Sequence, residues 1–276
     1  MLETAQTLVL GGTGKSGRRL VQRLRAVNRP VRVGSTTGTA RFDWTDPATW
    51  AAALDGISAV FVVYSPDVAM PEAPEVIGAF AEQAVAAGAR RLVMLSGQRA
   101  EVGMDSERRL QDSGAEWTIL RVAWFDQNFD EGFLRDDVRA GRVALPVGAV
   151  GEAFIDADDI ADVAATVLTE PRHSGAIYEL TGPRLLTFAD AVAEIGAASG
   201  RDIRFVEVPP DAYAATLTAQ GRSAAEIEQS IYLFTKLMDG RNARVEHGVR
   251  KILGREPRDF RDYAGAAAAT GVWSAN

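Results

Sequence analysis

The feature that most constrains the fold is a glycine-rich stretch close to the start of the chain. Gly11-Gly-Thr-Gly-Lys-Ser-Gly17 follows a short apolar run, Thr7–Leu10, and precedes an amphipathic run, Arg18–Leu24. A strand, a glycine turn and a helix in this order bring the free N–H groups of the first helical turn and the positive end of the helix dipole to one point. We therefore predict a strand–turn–helix unit whose turn binds phosphate groups, in preference to a turn with only a structural role.

Each glycine of this turn has its own expected task. Gly11 allows the tight turn, Gly14 lets the backbone approach a pyrophosphate, and Gly17 lets the helix pack closely on the strand. The other predicted binding residues of the turn are Thr13, Lys15 and Ser16.

Strands and helices alternate through the first half of the chain. Ala59–Val63 and Arg91–Leu95 are continuous apolar runs, which is typical of buried parallel strands. Alternation of this kind predicts an α/β fold with a Rossmann-type, doubly wound parallel sheet. The helices predicted around these strands are Lys15–Ala26, Asp46–Leu54 with Asp46 as its N-cap, Pro74–Ala87, Asp105–Ser113 and Asp158–Leu168.

The second half of the chain is less regular. Thr187 and Asp190 have the spacing of a capping box, and Ser223–Met238 is predicted to be one long helix. We expect residues 1–126 to form the dinucleotide-binding core. In residues 127–276, a stretch at about 150–182 is expected to return to the core, and the rest forms a smaller, mainly helical C-terminal substrate lobe.

The composition excludes several classes of site. The chain has 276 residues, a formal net charge of −7 and no cysteine. Disulfides, thiolate catalysis and cysteine-bound metals are therefore excluded, and nucleic acid is a disfavoured partner. There are only two histidines, and His173 lies in a turn-like segment where we expect a solvated loop residue. We expect a small-molecule partner and no metal.

Neither a targeting segment nor a membrane span is evident in the sequence. The first six residues lack the basic region and apolar core of a signal peptide, and no apolar run approaches the length of a membrane span. We therefore expect a cytoplasmic protein that does not bind membranes and that is a monomer or a homodimer.

The residues after the second predicted strand distinguish the two nicotinamide cofactors. An acidic residue there binds the ribose of NAD, whereas a 2′-phosphate requires hydroxyl and cationic groups. No acidic residue occurs between Lys15 and Phe42. Ser35 and Thr36 offer hydroxyls, and Arg18 or Arg41 offers a positive charge. The pattern predicts NADP(H), although some of the arginines in this interval are expected to be only a solvated helix face.

The remaining cofactor candidates follow from the ends of strands. Ligands of open parallel sheets bind outside the carboxyl ends of the strands. On this rule Asp43 or Trp44 lies beside the adenine, and Tyr64 borders the nicotinamide. Other candidates at strand ends are Ser65, Pro66, Ser96, Gly97 and Ala123.

With these segments placed, the chain resembles the NmrA-like, atypical branch of the short-chain dehydrogenases/reductases. The matching residues are Gly11–Gly17, Phe42-Asp-Trp44, Ser113–Arg121 with Trp124–Phe129, Phe154–Ala161 and Leu253–Phe260. The motifs are most similar to the festuclavine synthase/agroclavine dehydrogenase type of reductase and to bacterial quinone oxidoreductase-like relatives. The resemblance implies a Rossmann core, an NADPH preference and hydride transfer, without specifying the substrate.

The usual acid/base pair of these dehydrogenases is missing from its expected place. Most members carry Tyr-x-x-x-Lys on the helix before the Thr118–Leu120 strand, but here that helix contains neither residue. The one match in the chain, Tyr232 to Lys236, lies in the C-terminal lobe, so we interpret it as ordinary packing. The absence favours reduction of an iminium or a quinone over alcohol dehydrogenation, because neither substrate requires a proton from a protein acid.

Aromatic and polar residues after the last core strand are candidates for substrate contact. Trp124, Phe129 and Asn128 are the predicted substrate residues, with core packing as the alternative for the two aromatic side chains. Catalytic residues are not identified, and Tyr64 and Asn128 are only weak candidates. Asp126 and Asp156 could attract a cation, although for Asp156 anchoring of a turn is the favoured interpretation. Arg121 is expected to hold a loop carboxylate or carbonyl.

Three functions are compatible with these patterns. The favoured one is an NADPH-dependent reductase of an imine, iminium or quinone-type small molecule. The alternative is a non-catalytic NADP(H)-sensing regulator of the NmrA type. An epimerase-like enzyme with bound cofactor is disfavoured, because its chemistry needs a positioned acid or base.

Overall fold

The computed structural model describes residues 6–38, 40–98 and 101–274, with the side chain of Glu101 left out. The chain forms two compact units, and each is assembled from separate stretches of sequence. The first unit contains the described residues up to Val122 together with Ala157–Leu180 and His247–Glu256. The second contains Ala123–Asp156, Thr181–Glu246 and the described residues from Pro257 onward.

Parallel strands form both sheets. In chain order they are β1 (Gln6–Leu10), β2 (Val31–Ser35), β3 (Ala40–Arg41), β4 (Ile57–Val62), β5 (Arg91–Gly97), β6 (Glu116–Val122), β7 (Arg142–Leu145), β8 (Ala176–Leu180) and β9 (Arg204–Glu207). The sheet of the first unit has the order β3-β2-β1-β4-β5-β6-β8. The strand order changes direction between β1 and β4, which is where open α/β sheets bind ligands. The predicted α/β class with a doubly wound parallel sheet is confirmed.

The helices are α1 (Lys15–Ala26), α2 (Trp50–Leu54), α3 (Ala73–Ala86), α4 (Glu101–Gln111), α5 (Arg135–Ala140), α6 (Ala157–Thr169), α7 (Phe188–Ser199), α8 (Pro210–Ala219), α9 (Ala224–Tyr232), α10 (Gly248–Leu253) and α11 (Phe260–Ala269). In the first unit α1 packs against α6, and α3 packs against α4. The bounds of α1 agree with the prediction to the residue. Leu20, Val21 and Leu24 form its buried face, as the spacing of apolar residues indicates.

The second unit has its own core around a short parallel pair, β7 and β9. Its largest fully buried side chains include Phe154, Phe260 and Trp273, and the Trp273 indole N–H donates to the Phe129 carbonyl at 2.8 Å. The predicted capping box at the start of α7 is confirmed, because Thr187 and Asp190 each accept a hydrogen bond from the other's backbone N–H.

Several predicted elements need correction. The predicted long helix over Ser223–Met238 is wrong in its second half, since α9 ends at Tyr232 and a π-helical segment, Leu233–Leu237, follows it. Asp46 precedes a 3-10 turn but its side chain makes no capping hydrogen bond. The short elements α5, β7, α8, β9 and α10 were not predicted, because four to ten residues give little periodicity to detect.

His173 is a further correction, because it is buried and not solvated. Its Nδ1 lies 2.8 Å from the Tyr178 hydroxyl, and its backbone carbonyl accepts a 2.8 Å hydrogen bond from Thr118. The turn-like sequence around His173 hides this packing, since the tyrosine belongs to β8 and reaches the histidine only once the strand has joined the sheet.

Within the described part of the chain, no helix has both the length and the apolar character that a membrane crossing requires.

Candidate functional site

The turn between β1 and α1 has the geometry that its glycines predict. Gly11 has a left-handed backbone conformation with φ of 62°, and its carbonyl accepts the Gly14 N–H at 2.9 Å. A Cβ atom on Gly17 would lie 2.2 Å from the Gly11 carbonyl oxygen, so no larger residue fits there without moving the turn. Gly14 is less confined, because a Cβ atom on it would have that oxygen as its nearest neighbour at 3.2 Å.

The N-terminus of α1 is suited to an anionic ligand. Its N-cap, Gly14, provides no capping side chain, and the first turn contains no acidic residue. Gly11, Thr13 and Gly14 are exposed, Lys15 is half-buried, and Ser16 is buried. The backbone N–H groups at this helix end, aided by the helix dipole and a nearby lysine, can therefore hold phosphate oxygens.

Ser35, the last residue of β2, carries a polar atom that needs a partner. Its Oγ is buried and has no hydrogen-bond partner among the described residues. A Cβ atom on Gly38 would lie 2.6 Å from this oxygen, so glycine leaves room beside the hydroxyl. An unsatisfied buried hydroxyl is costly by itself, and together with the glycine turn it fits a dinucleotide that extends toward the end of β2. Thr36, the second predicted hydroxyl, is exposed.

The arginines of the acid-free interval divide into different roles. Arg19 and Arg23 form ion pairs with Asp158 on α6, and Arg23 also pairs with Asp162 at 3.0 Å. These two residues therefore fasten α1 to α6 and are not a solvated face. Arg41 is largely exposed and lies 3.6 Å from Asp46, a loose surface contact of little energetic weight.

The residues predicted beside the adenine and the nicotinamide belong to an aromatic cluster. Trp44 and Tyr64 are buried, with ring centroids 5.0 Å apart, and the Trp44 indole N–H donates to the Val63 carbonyl. Burial raises the pKa of Tyr64, which makes its phenol a poorer proton donor. The Asp43 carboxylate accepts hydrogen bonds from the Thr45 backbone and hydroxyl, which hold its pKa below the usual range.

The other strand-end candidates differ in exposure. Ser65 and Pro66 are exposed and joined by a cis peptide bond. Gly97 is half-buried, and Ala123, the first residue of the second unit, is buried.

A buried polar network occupies the ends of β5 and β6 in the first unit. The Ser96 hydroxyl donates to Glu107 Oε1 at 2.7 Å, and Arg121 Nε lies 2.9 and 3.1 Å from the two oxygens of the same carboxylate. Arg121 also lies 3.6 Å from Glu179 on β8. The predicted role of Arg121 is confirmed in part: it holds a carboxylate, but the carboxylates come from a helix and a strand, not from a loop.

The predicted substrate residues lie in the second unit. Trp124 is half-buried and packs its indole against the rings of Phe188 and Phe234. Phe129 is fully buried among Phe154, Phe188 and Phe260, which favours the packing alternative for this position. Asn128 ends a 3-10 turn, and its side-chain amide has no hydrogen-bond partner in the described chain.

Glu152 is a buried acid beside this region. Its Oε1 accepts a hydrogen bond from the Trp124 backbone N–H at 3.2 Å. Two backbone hydrogen bonds with Leu186, of 2.8 and 2.9 Å, fix its position. Burial raises the pKa of Glu152 to about 7, against the opposing effect of the Trp124 N–H.

Asp126 and Asp156, the two candidates for attracting a cation, are both buried. Asp156 accepts a hydrogen bond from the Gln127 side-chain amide at 3.1 Å, which supports the anchoring interpretation.

A family model described as NAD(P)H-binding matches residues 11–171 of the chain, from the glycine turn to just after the end of α6. The chain belongs to this NAD(P)H-binding family.

Similar proteins extend the match over almost the whole sequence of this NAD(P)H-binding protein. Prestalk A differentiation protein A of Dictyostelium discoideum is 32% identical over 93% of this chain and 90% of its own. NAD(P)H azoreductase of Xenophilus azovorans is 30% identical over 95% and 98%, and agroclavine dehydrogenase of Claviceps fusiformis is 30% identical over 93% and 95%. The resemblance to clavine dehydrogenases is confirmed, and the chain is an NAD(P)H-dependent oxidoreductase.

A solved structure gives the same fold. An NADPH-dependent quinone oxidoreductase from Escherichia coli, crystallised with NADPH, superimposes with a TM-score of 0.77 over 94% of this chain and 99% of that protein, at 19% identity.

The helix on which the usual acid/base pair is expected carries a buried acid that already has partners. In this NAD(P)H-binding protein α4 holds Glu107, which is engaged by Arg121 and Ser96. Tyr232, the tyrosine of the only Tyr-x-x-x-Lys match, is 51% exposed at the end of α9.

Glu107 and Glu152 are not among the site residues that the amino-acid sequence predicts. A buried glutamate has no local signature, because its partners come from other elements. The one usable signal was Arg121 within a strand, since a buried cation requires an anion nearby.

Proposed function

We propose that this oxidoreductase uses NADPH to reduce an imine, an iminium or a quinone-type small molecule. The observation that carries the proposal is the network on α4. The polar groups around Glu107 on α4 already hydrogen-bond to one another, since the Ser96 hydroxyl donates to the Glu107 carboxylate and Arg121 donates to both of its oxygens. A substrate that needs no proton from this position is therefore favoured.

The two substrate types meet that condition for different reasons. An imine that has been protonated in water is an iminium ion. Hydride addition to an iminium carbon gives a neutral amine without a further proton, and a reduced quinone can take its proton from water. Bound NADPH supplies the hydride. The contribution of the chain is to hold and orient the reactants, which by itself accounts for a large part of many rate accelerations.

The preference for NADPH over NADH rests on the end of β2. The interval from Lys15 to Phe42 contains no acid that would repel a 2′-phosphate, and the buried Ser35 hydroxyl lacks a partner among the described residues. A charged hydrogen bond to a phosphate would satisfy this hydroxyl.

The direct test measures NADPH oxidation with a panel of cyclic iminium ions and quinones. We expect turnover with members of at least one class and a much lower rate with NADH. Tight NADPH binding without turnover of any panel member would overturn the reductase proposal. In that case different affinities for NADP⁺ and NADPH, with a protein partner bound in only one state, would establish the sensor alternative.

Ser35→Ala tests the cofactor preference. Loss of a hydrogen bond to a charged group costs about 1.5–3 kcal/mol, so we expect Kd for NADPH to rise by roughly tenfold or more. NADH is the matched control ligand, and its Kd should not change. Equal weakening of both cofactors would place the 2′-phosphate elsewhere.

Gly17→Ala and Gly14→Ala separate folding from binding at the turn. The first puts a methyl group within 2.2 Å of the Gly11 carbonyl oxygen, and we expect it to lower both the melting temperature and NADPH affinity, with an overpacking cost of about 3 kcal/mol. Gly14→Ala should weaken NADPH binding with little effect on melting. Gly265→Ala in α11 is the control, because none of the described atoms lies within 4 Å of its added methyl group.

A further inference from the structure

The face of the second unit around Trp124 combines an aromatic surface with two polar groups. The Trp124 ring contacts Phe133, Phe188 and Phe234 at centroid distances of 5.5 to 6.1 Å. Phe133 is 48% exposed, so the edge of this aromatic group reaches the surface. Flat ring systems pack well on such an edge.

The first polar group is the Trp124 indole. Its Nε1 is buried and has no hydrogen-bond partner among the described residues. An indole N–H can only donate, and a buried donor without a partner costs free energy. A hydrogen-bond acceptor atom of a ligand would satisfy it, and a cation cannot take that role.

The second polar group is the Glu152 carboxyl. Within the described residues its one hydrogen-bond partner is the Trp124 backbone N–H. Burial and this N–H are the influences on its pKa, and no charged side chain of the described residues contributes. With a pKa of about 7, the carboxyl is a hydrogen-bond donor in its neutral form below that pH.

We propose that Trp124 Nε1 and the Glu152 carboxyl donate hydrogen bonds to acceptor oxygens of a neutral, planar substrate. This inference rests on the proposed reductase function and selects within it: two donors match a quinone-type carbonyl and do not match an iminium ion. Trp124 and Glu152 are binding residues here, and the proposal includes no bond-making step.

The test measures binding, so that it is independent of turnover. Protein saturated with NADP⁺, which cannot reduce the ligand, is titrated with 1,4-naphthoquinone by calorimetry between pH 6 and pH 8.5. If only the neutral form of Glu152 binds, Kd rises by about tenfold per pH unit above 7, or roughly 30-fold over the range. A flat profile of the unmodified protein overturns the proposal without any variant.

Two variants assign the donors, and the first of them is near-isosteric. Glu152→Gln keeps an N–H donor but cannot titrate, so its Kd should not change with pH. Trp124→Phe keeps an aromatic ring but removes the N–H together with the five-membered ring, and we expect Kd to rise by roughly tenfold at every pH while the slope with pH remains. A pH slope retained in Glu152→Gln, or an unchanged affinity in Trp124→Phe, contradicts the assignment.

N-methylisoquinolinium is the matched cationic ligand. We expect it to bind more weakly than the quinone at pH 6. Tighter binding of this cation as the pH rises would mean that Glu152 acts as a carboxylate, and the inference would be wrong. Absence of quinone binding together with NADPH turnover of another panel member would also overturn the inference while leaving the reductase proposal intact.

Discussion

Two buried glutamates, one in each unit, show how differently this protein treats the same side chain. Glu107 in the first unit is 2% exposed and is clamped by Arg121, with Ser96 as a further donor. Glu152 in the second unit is 7% exposed, and among the described residues only a backbone N–H donates to it. Burial alone therefore does not decide the role of an acid; the nearest cation does.

The presence or absence of a paired cation gives the two glutamates different roles: Glu107 positions other residues, and Glu152 is available to bind a ligand. A carboxylate paired with a guanidinium has its charge compensated and its oxygens occupied, so it is suited to fixing the ends of β5 and β6. A carboxyl without a cation has its pKa raised by burial, in this case to about 7, and is left with hydrogen-bonding capacity for a ligand.

The largest expected effect comes from removing the cation from the first glutamate. Arg121→Met leaves the Glu107 carboxylate buried without its partner, and we expect the free energy of unfolding to fall by about 3–5 kcal/mol. Urea denaturation at pH 7.5 measures it. The double variant Arg121→Met/Glu107→Leu should recover most of the loss, because the charge of Glu107, the more deeply buried of the two glutamates at Arg121, is then gone. A loss below about 1 kcal/mol in the single variant would mean that the clamp is not the source of the difference.

Glu152→Gln tests the role of the second glutamate through the pH dependence of the free energy of unfolding. The pKa of Glu152 is about 7 in the folded protein and about 4.3 in an unfolded chain. The folded state therefore holds the extra proton between these values, and wild-type stability falls as the pH rises from about 4.5 to 7, then stays level. We expect the variant to lack this fall and to gain about 3 kcal/mol relative to wild type between pH 4 and pH 8.5.

Thermal melting is measured over this pH range for wild type, Glu152→Gln and a control variant, Glu207→Gln. Glu207 is an exposed glutamate on β9. The control should track wild type throughout. Parallel curves for wild type and Glu152→Gln would show that Glu152 titrates as an ordinary surface acid.

The smallest change in stability is expected from removing the Ser96 hydroxyl that donates to Glu107. Ser96→Ala removes a 2.7 Å hydrogen bond to a charged group, which costs about 1.5–2 kcal/mol. Ser58→Ala is the matched control, since it removes a 3.2 Å hydrogen bond to a backbone carbonyl and should cost about 0.5–1 kcal/mol. If chemical denaturation shows that both variants lose the same free energy of unfolding, the charge of Glu107 does not strengthen its hydrogen bond with the Ser96 hydroxyl.

Local patterns predicted the parts of the structure that depend on neighbours in sequence. The bounds of α1, the tight turn at Gly11 and the close packing at Gly17 follow from a motif of seven residues. The same holds for the capping box of α7, whose two residues are three positions apart.

Patterns failed where the partner is distant or the element is short. The prediction for His173 is wrong because Tyr178 reaches it from a strand of the sheet, and the predicted long helix does not account for the change to π-helical geometry after Tyr232. The pairing of Trp124 with Glu152 joins two loops that have no shared periodicity.

Side chains and glycines within a few turns of chain encode the strand–turn–helix unit, the parallel sheet and the acid-free stretch after the glycine turn, so these features can be predicted from the amino-acid sequence. Only the packing of separate elements determines that Glu107 is paired with Arg121 and that Glu152 has no cationic partner among the described residues. The state of a buried carboxyl depends on burial and on the nearest charge, and both are set only after separate elements have packed.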